Sequence, residues 1–431
     1  MAQAVRYWQR AGQCAIERSA HVEAIGHLSK GLQVLSTLPA TAERIQPELQ
    51  MQLTLGPALM ATRGYGAAEV GQTYARAHEL CQHGCDPQQH FQALWGLWRF
   101  HVVGQAVFQA RPWADQLLAL AQQAHDTAFL LEAHNAAGIT LFYLGEFTPA
   151  LTHLEAAMAL YDPEQHRALA FRYGQDPGVI CYAFAALTLW MLGYPDQSLQ
   201  HSQAALAHAQ DPFSRAYALF WTAVPPQFCG RRHTVSDQAE TAIALSTEQR
   251  FPLWKEGAMI LQGWAQAHQG HVEEGLAQVS RGLTNWRATG AKRAHPYVLA
   301  LLGETYKHTG QVQEGLTVLA EALAEVERYG ERWWDAELHR LKGELLLAQM
   351  PRQESEAEAC FQQALTIATG QQARSLTLRA AVSLGRLWQH QGQHERAVQL
   401  LAPLYTWFTE GFETVDVTAA KILLEELGSQ R

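Results

Sequence analysis

Asparagine is almost missing from this chain, occurring only as Asn135 and Asn285, whereas Ala, Leu, Gln and Glu are abundant. That balance disfavours turn-rich architectures and favours helix. No apolar run of about 18 or more residues exists, so nothing in the sequence spans a membrane. The opening MAQAVRYWQRAGQCA lacks the apolar core of a secretory signal. It starts in the middle of a repeating pattern, which suggests a piece of something larger. Cysteine is sparse: Cys14, Cys81, Cys85, Cys181, Cys229 and Cys360 are scattered through helical segments. A disulfide framework would be unusual in so large a helical chain, so reduced thiols and a cytoplasmic setting are expected. Basic charge is also lacking. A formal net charge of −9 and a pI near 6.1 leave no basic stripe to neutralise phosphates, which argues against a nucleic-acid partner. Catalytic signatures are absent too. There is no Gly-Lys pair for a phosphate loop, no H-E-x-x-H and no G-x-S-x-G. No catalytic residue, resident metal or cofactor is therefore expected.

What the chain does have is a recurring phrase. It reads Leu299-x2-Leu302-Gly303-x2-Tyr306, then Gly310, then Gly315-x3-Leu319-x2-Ala322. It returns around Ala381-x2-Leu384-Gly385-x2-Trp388, around Ala137-Gly138-x2-Leu141, and at the start as Trp8-x2-Ala11-Gly12. This is a degenerate tetratricopeptide pattern. It predicts first helices beginning near residues 5, 49, 89, 131, 179, 216, 256, 296, 336 and 378, at spacings of 37 to 48 residues. The standard spacing is about 34, and a surplus of roughly 7 residues is about two helical turns, so longer helices are expected rather than longer loops. A hydrophobic content of 48% is enough for a continuous core. The predicted fold is all-α: a right-handed solenoid of about ten tetratricopeptide-like hairpins over residues 1–413, with a capping helix and tail over 414–431.

Three places interrupt the pattern. Residues 165–178 form an extra segment between repeats. Val224-Pro225-Pro226 breaks a first helix, because proline removes a donor and clashes with the preceding turn. Met350-Pro351-Arg352-Gln353-Glu354-Ser355 lengthens another turn. Beyond the last repeat, Val417, Lys421, Leu424 and Leu427 are spaced as one helical stripe, which suits the terminal cap that a solenoid needs.

Several runs resemble a known family. YWQRAGQCAIERSAHVEAIGHL, YLGEFTPALTHLEAAMALYDPEQHR, LGYPDQSL, LYTWFTEGFETVD and above all GERWWDAELHRLKGELLL resemble the C-terminal repeat region of large bacterial regulators. In those proteins the region follows an AAA/STAND-type ATPase module, often with an adenylate or guanylate cyclase domain, and the arrangement is similar to the sensor arm of the maltose-regulator class. The resemblance covers essentially the whole chain. It implies a non-catalytic arm that binds a protein, a peptide or a small effector, with an AAA/STAND module as a candidate partner. The alternative is the regulatory part of a nucleotide-dependent enzyme whose catalytic domains are absent here. A DNA-binding regulator is disfavoured, since no helix-turn-helix follows the cap.

Ligand spacing and the repeat register each point to candidate site residues. His78, Cys81, His83, Cys85 and His90 are soft ligands close enough to suit zinc. Yet they fall where the register places a packed thiol and solvated turn histidines. Asp162 and Asp176 each precede proline, which explains both as turn starters. In resembling repeats, fixed positions of each first helix line the concave groove. Here these select Phe100, His101, Asn135, Phe142, Tyr143, Trp190, Trp264, His268, Tyr297, Lys307, Arg340 and Arg386, together with Met191, Glu304, His308, Glu344 and Arg379. The first half of this set is aromatic and the second half charged. Exposed aromatics fit a binding site; a small register error would make the same residues core. Of Trp333 and Trp334, one is expected to pack and the other to face solvent.

Overall fold

The computed structural model describes residues 2–39, 42–350 and 353–429. Pro351 and Arg352 of the lengthened turn, and Gln430 and Arg431 of the tail, lie outside the described residues. The fold is all-α and tetratricopeptide-like, with ten helical hairpins among the described residues. Their first helices are Ala2–Glu17, Ala42–Arg63, Pro87–Gly104, Thr127–Leu144, Pro177–Leu192, Pro212–Trp221, Pro252–His268, His295–Thr309, Asp335–Ala348 and Arg374–His390. Each matches a first helix read from the repeat. Apart from the extra segment before Pro177, the surplus length lies inside helices, with second helices such as Arg232–Glu248 and Val312–Tyr329 reaching 17 and 18 residues.

Local chemistry explains the boundaries. At Asp86-Pro87, Asp162-Pro163, Asp176-Pro177 and Asp211-Pro212 the aspartate caps a helix whose first turn holds the proline. The carboxylate accepts from an amide two or three residues on, while proline supplies a preset φ where no donor is needed. Asp162 and Asp176 thus start helices as caps, in keeping with their place before proline. The helix Pro212–Trp221 stops before the two prolines, and a short helix, Val224–Phe228, completes the interrupted element. The extra segment folds into single turns, Pro163–His166 and Ala170–Tyr173, joined by a 3-10 turn. Within hairpins the small-residue position has a packing reason. A Cβ on Gly263 would sit 2.8 Å from the Gly275 carbonyl and 2.9 Å from the Val279 amide, so those two helices touch backbone to backbone.

Repeat neighbours are not the only partners, because the superhelix closes on itself. Main-chain amides of Lys292 and Arg293 donate to the Val103 carbonyl, and the Arg332 amide donates to the Tyr143 carbonyl. The Arg293 guanidinium reaches the Gln105 carbonyl, Ser375 reaches the Trp190 carbonyl, and Thr148 bonds Gln372. These pairs are 188, 185 and 224 positions apart. Glu410 accepts from the amides of Asp196 and Gln197, and the Asp196 carboxylate accepts from the Gly411 amide. One turn of the superhelix therefore rests on the next. The closure is tight enough that a Cβ on Gly66 would lie 2.5 Å from the Gly290 carbonyl. One hydrophobic cluster runs from Val5 to Leu376, and a second from Leu346 to Leu427.

The final helix, Val415–Ser429, buries Val417, Ala420, Leu423 and Leu427 against the tenth hairpin. The expected stripe is rotated: Lys421 faces solvent and Leu424 is half-buried. Rotation puts Asp416 inward, where it accepts from Arg379 at 2.8 Å.

Candidate binding site

Closure decides which of the groove positions remain available. Phe142, Tyr143, Trp190, Asn135 and Tyr297 are all buried, at 3% exposure or less, and belong to the core rather than to an open groove. Phe142 lies 5.1 Å from the Trp333 ring and 5.3 Å from Phe184. Trp190 lies 4.3 Å from Phe228, with the Arg379 guanidinium 4.7 Å over its face. Asn135 donates to the Pro177 carbonyl, and the Tyr297 hydroxyl donates to Gln227. Trp333 and Trp334 are both buried, because the later turn presses them against these first-half aromatics. Phe100 and His101 are half-buried elsewhere: the Phe100 ring lies over Gly71 and His101 stacks on Trp113.

The later repeats keep an open interior. A cavity of about 590 Å³ is lined by His268, Lys307, Arg340 and Arg386 from the register set, with Glu304, His308, Glu344 and Arg379 beside them; Trp264 also borders it but is itself buried, at 3% exposure, as part of the wall. The register did not point to its other walls. Phe228 and Arg232 come from the proline-broken sixth repeat, Glu337 from the helix that also carries Arg340, and Val415, Asp416 and Ala419 from the final helix. Pro225 and Pro226 were the available signal, since they redirect the chain so that Phe228 enters the interior.

A charge network crosses this wall. Arg340 forks onto Glu337 at 2.7 and 2.8 Å and also meets Glu344. Lys307 pairs with Glu344, and Arg379 bridges Glu337, Asp416 and the Phe228 carbonyl. Burial alone would raise the Glu344 carboxyl, but the neighbouring Arg340 and Lys307 charges outweigh it and hold the group down at about 2. Glu304 is likewise pressed upward by burial and drawn down to about 2 by His268, the Trp264 indole N–H and Arg340. Every acid on the wall is engaged. The unengaged charge is positive: Arg386 is exposed with no partner among the described residues, and Arg232 bonds only the His268 carbonyl.

The zinc-spaced residues of the second repeat do not assemble. His78 stacks on His90 with ring centres 5.9 Å apart and meets Trp113 edge-on, and Cys81 is pushed well up by burial and by Cys85. The convergence is elsewhere. Among the described residues, one group of three ligand-type side chains meets within 4.8 Å: His268, Glu304 and His308. No helix among the described residues is long and apolar enough to cross a membrane.

Fold and cavity together define a tetratricopeptide-like repeat protein with an internal cavity. No family model matches the chain. A Rap protein solved in complex with competence and sporulation factor shares the fold, with a TM-score of 0.51 and 12% identity, over 80% of this chain and all of that one. A STAND protein with a tetratricopeptide repeat sensor from Pyrococcus horikoshii aligns over 83% of this chain and 55% of its own, at a TM-score of 0.38 and 14% identity. An uncharacterised protein of Rhizobium meliloti is 24% identical over 391 residues. The match takes in 89% of this chain but only 38% of that relative's length.

Proposed function

We propose that this chain is a non-catalytic binding arm that receives a carboxylate-bearing peptide segment or small effector in the cavity of its later repeats. The observation that carries the reading is the cavity itself. It has the size of ligand pockets in general, about 300–1,000 Å³. Its acids are already paired, its apolar floor includes Leu341, Val382 and Leu387, and the charge left free is that of Arg386 and Arg232. An anionic group completes that arrangement, whereas a cationic one would have to break existing ion pairs. The test is thermal-shift and calorimetric titration with short acidic, neutral and basic peptides and small organic acids. Acidic compounds should stabilise the protein, and Arg386→Glu should weaken them at least tenfold without changing the fold. Binding by basic compounds, or an unaltered affinity in Arg386→Glu, would overturn the reading.

A regulatory role within a larger signalling protein is the second reading. The observation favouring it is that the Rhizobium meliloti relative extends far beyond the region matched here. On this reading nucleotide chemistry belongs to other domains. The purified chain should neither bind nor turn over ATP above a buffer control, and micromolar ATP binding by calorimetry would sink the proposal.

A further inference from the structure

The repeat arithmetic of the chain brings two imidazoles and a carboxylate together where neighbouring hairpins meet. Trp264 and His268 lie one helical turn apart on Pro252–His268, and Glu304 and His308 occupy the same two places on His295–Thr309. Corresponding positions are 40 residues apart, so Trp264 faces Glu304 and His268 faces His308. The His268 Nε2 lies 3.0 Å from the His308 Nε2 and 3.4 Å from the Glu304 Oε1.

We propose that His268, Glu304 and His308 form a binding site for a divalent transition-metal ion of the zinc class, with the fourth coordination position open to the cavity. Four-coordinate zinc has bonds of about 2.0–2.1 Å, which puts tetrahedrally arranged donor atoms about 3.3–3.4 Å apart. The His268–Glu304 spacing matches that value, the His268–His308 spacing is a little shorter, and all three donor groups lie within 4.8 Å of one another. Donor orientation agrees. The His268 Nδ1 lies 2.9 Å from the Trp264 carbonyl, which can only accept, so Nδ1 carries a proton, and in the neutral, metal-binding form of the ring the Nε2 lone pair is directed at the other two groups. The Trp264 indole N–H donates to the Glu304 Oε2 at 2.8 Å, which holds that carboxylate with Oε1 toward His268. Two ligands therefore have the outer hydrogen bonds that fix metal-binding imidazoles and carboxylates in place. His268 and Trp264 are held within the wall, while His308 is exposed and gives an ion a path from solvent. Imidazole nitrogen selects zinc, cobalt or nickel over magnesium and calcium, which prefer all-oxygen sites. The site goes beyond the proposed binding role and stands whether or not a carboxylate ligand enters the cavity.

The test uses the tag-free full chain, stripped with a chelator, and the metal alone. Zinc calorimetry should give one saturable site per chain, and cobalt(II) should develop visible absorption of a four-coordinate ion with nitrogen ligands. Magnesium should give neither signal. His308→Ala removes an exposed side chain and leaves folding intact; it should weaken zinc at least 100-fold and abolish the cobalt spectrum. Trp264→Phe keeps an aromatic ring but loses the N–H that orients Glu304, and should weaken zinc about 10-fold. Zinc binding unchanged in the His268→Ala, His308→Ala double variant would assign the ion to other histidines and overturn the site. So would a wild-type protein with no saturable binding. Because the readout is the metal itself, failure here is distinct from failure of the peptide and organic-acid titrations.

Discussion

The inner face of the early repeats is aromatic and filled, whereas that of the later repeats is charged and open. Phe142, Tyr143, Phe184 and Trp190 meet Trp333, Trp334 and Phe228 from further along the superhelix, and the space left near Tyr143, Tyr217 and Arg99 is only about 30 Å³. From Trp264 to Ala419 the same face leaves about 590 Å³. Both faces draw on the same first-helix positions of the repeat, with the sixth repeat and the final helix adding walls to the open one. The difference therefore comes from side-chain chemistry. Apolar rings gain by leaving water and draw a second turn of the superhelix onto themselves. A network of paired carboxylates and guanidiniums keeps its partners and its geometry instead, and lines the walls of the space that remains.

Trp190→Ala should break the closed half. Truncating a buried aromatic costs about 3–5 kcal/mol, and here the ring also packs against a tilted Phe228 and carries the Arg379 guanidinium over its face. Urea unfolding should show a loss of that size, and hydrogen exchange should rise in residues 371–379 as well as around Trp190. Exchange confined to the helix Pro177–Leu192 would mean that the two turns do not depend on each other.

Two carboxyls sharpen the comparison through pH. In the closed half, burial pushes the Glu132 carboxyl up to about 8, against the bond it accepts from the Trp95 indole. In the open half, Glu344 is held at about 2. A raised carboxyl contributes its stability fully below its unfolded value of about 4.5 and loses it as pH climbs toward 8; a lowered one contributes above about 4.5 and loses it as pH falls toward 2. Glu132→Gln should therefore gain on wild type as pH rises from about 5 to 8. The deficit of Glu344→Gln should be full at about pH 7 and shrink below about 4.5. Urea midpoints across this range check both, and slopes of the same sign would show that the two faces do not differ electrostatically.

Much of this was legible in the sequence. The phrase around Gly303 and Gly385 placed every first helix, because helical periodicity and small residues at helix crossings are local requirements. The Asp-Pro pairs located helix starts, and the Val224-Pro225-Pro226 break is where the structure has it. Closure was not legible, since a repeat period specifies how neighbours pack and not the pitch at which distant repeats meet. Its trace was the aromatic run from Phe142 to Trp190, read as a groove because an isolated repeat would expose it. Trp333 and Trp334 are buried for the same long-range reason. The charged half was easier: Lys307, Arg340, Glu344 and Arg386 line the cavity from the register positions that selected them. Glu304, His308 and His268 were picked out singly, and their convergence needed the spacing of 4 within a helix combined with 40 between helices.

The smallest effect expected is on stability in Arg386→Ala, and it separates wall from ligand site within the cavity. Arg379 and Arg386 lie two turns apart on the helix Arg374–His390 and both border the cavity. Arg379 is held by Asp416, Glu337 and the Phe228 carbonyl, so it ties the final helix to the closed half and cannot turn to a ligand without loosening both. Arg386 is exposed and has no such partner among the described residues. An exposed side chain away from caps, cavities and ion pairs changes stability by no more than about 0.5 kcal/mol. The Arg386→Ala protein should therefore unfold at the wild-type urea midpoint while losing affinity for acidic ligands. A clear fall in its midpoint would place Arg386 in the wall with Arg379, and the anionic site would lose the free charge on which it depends.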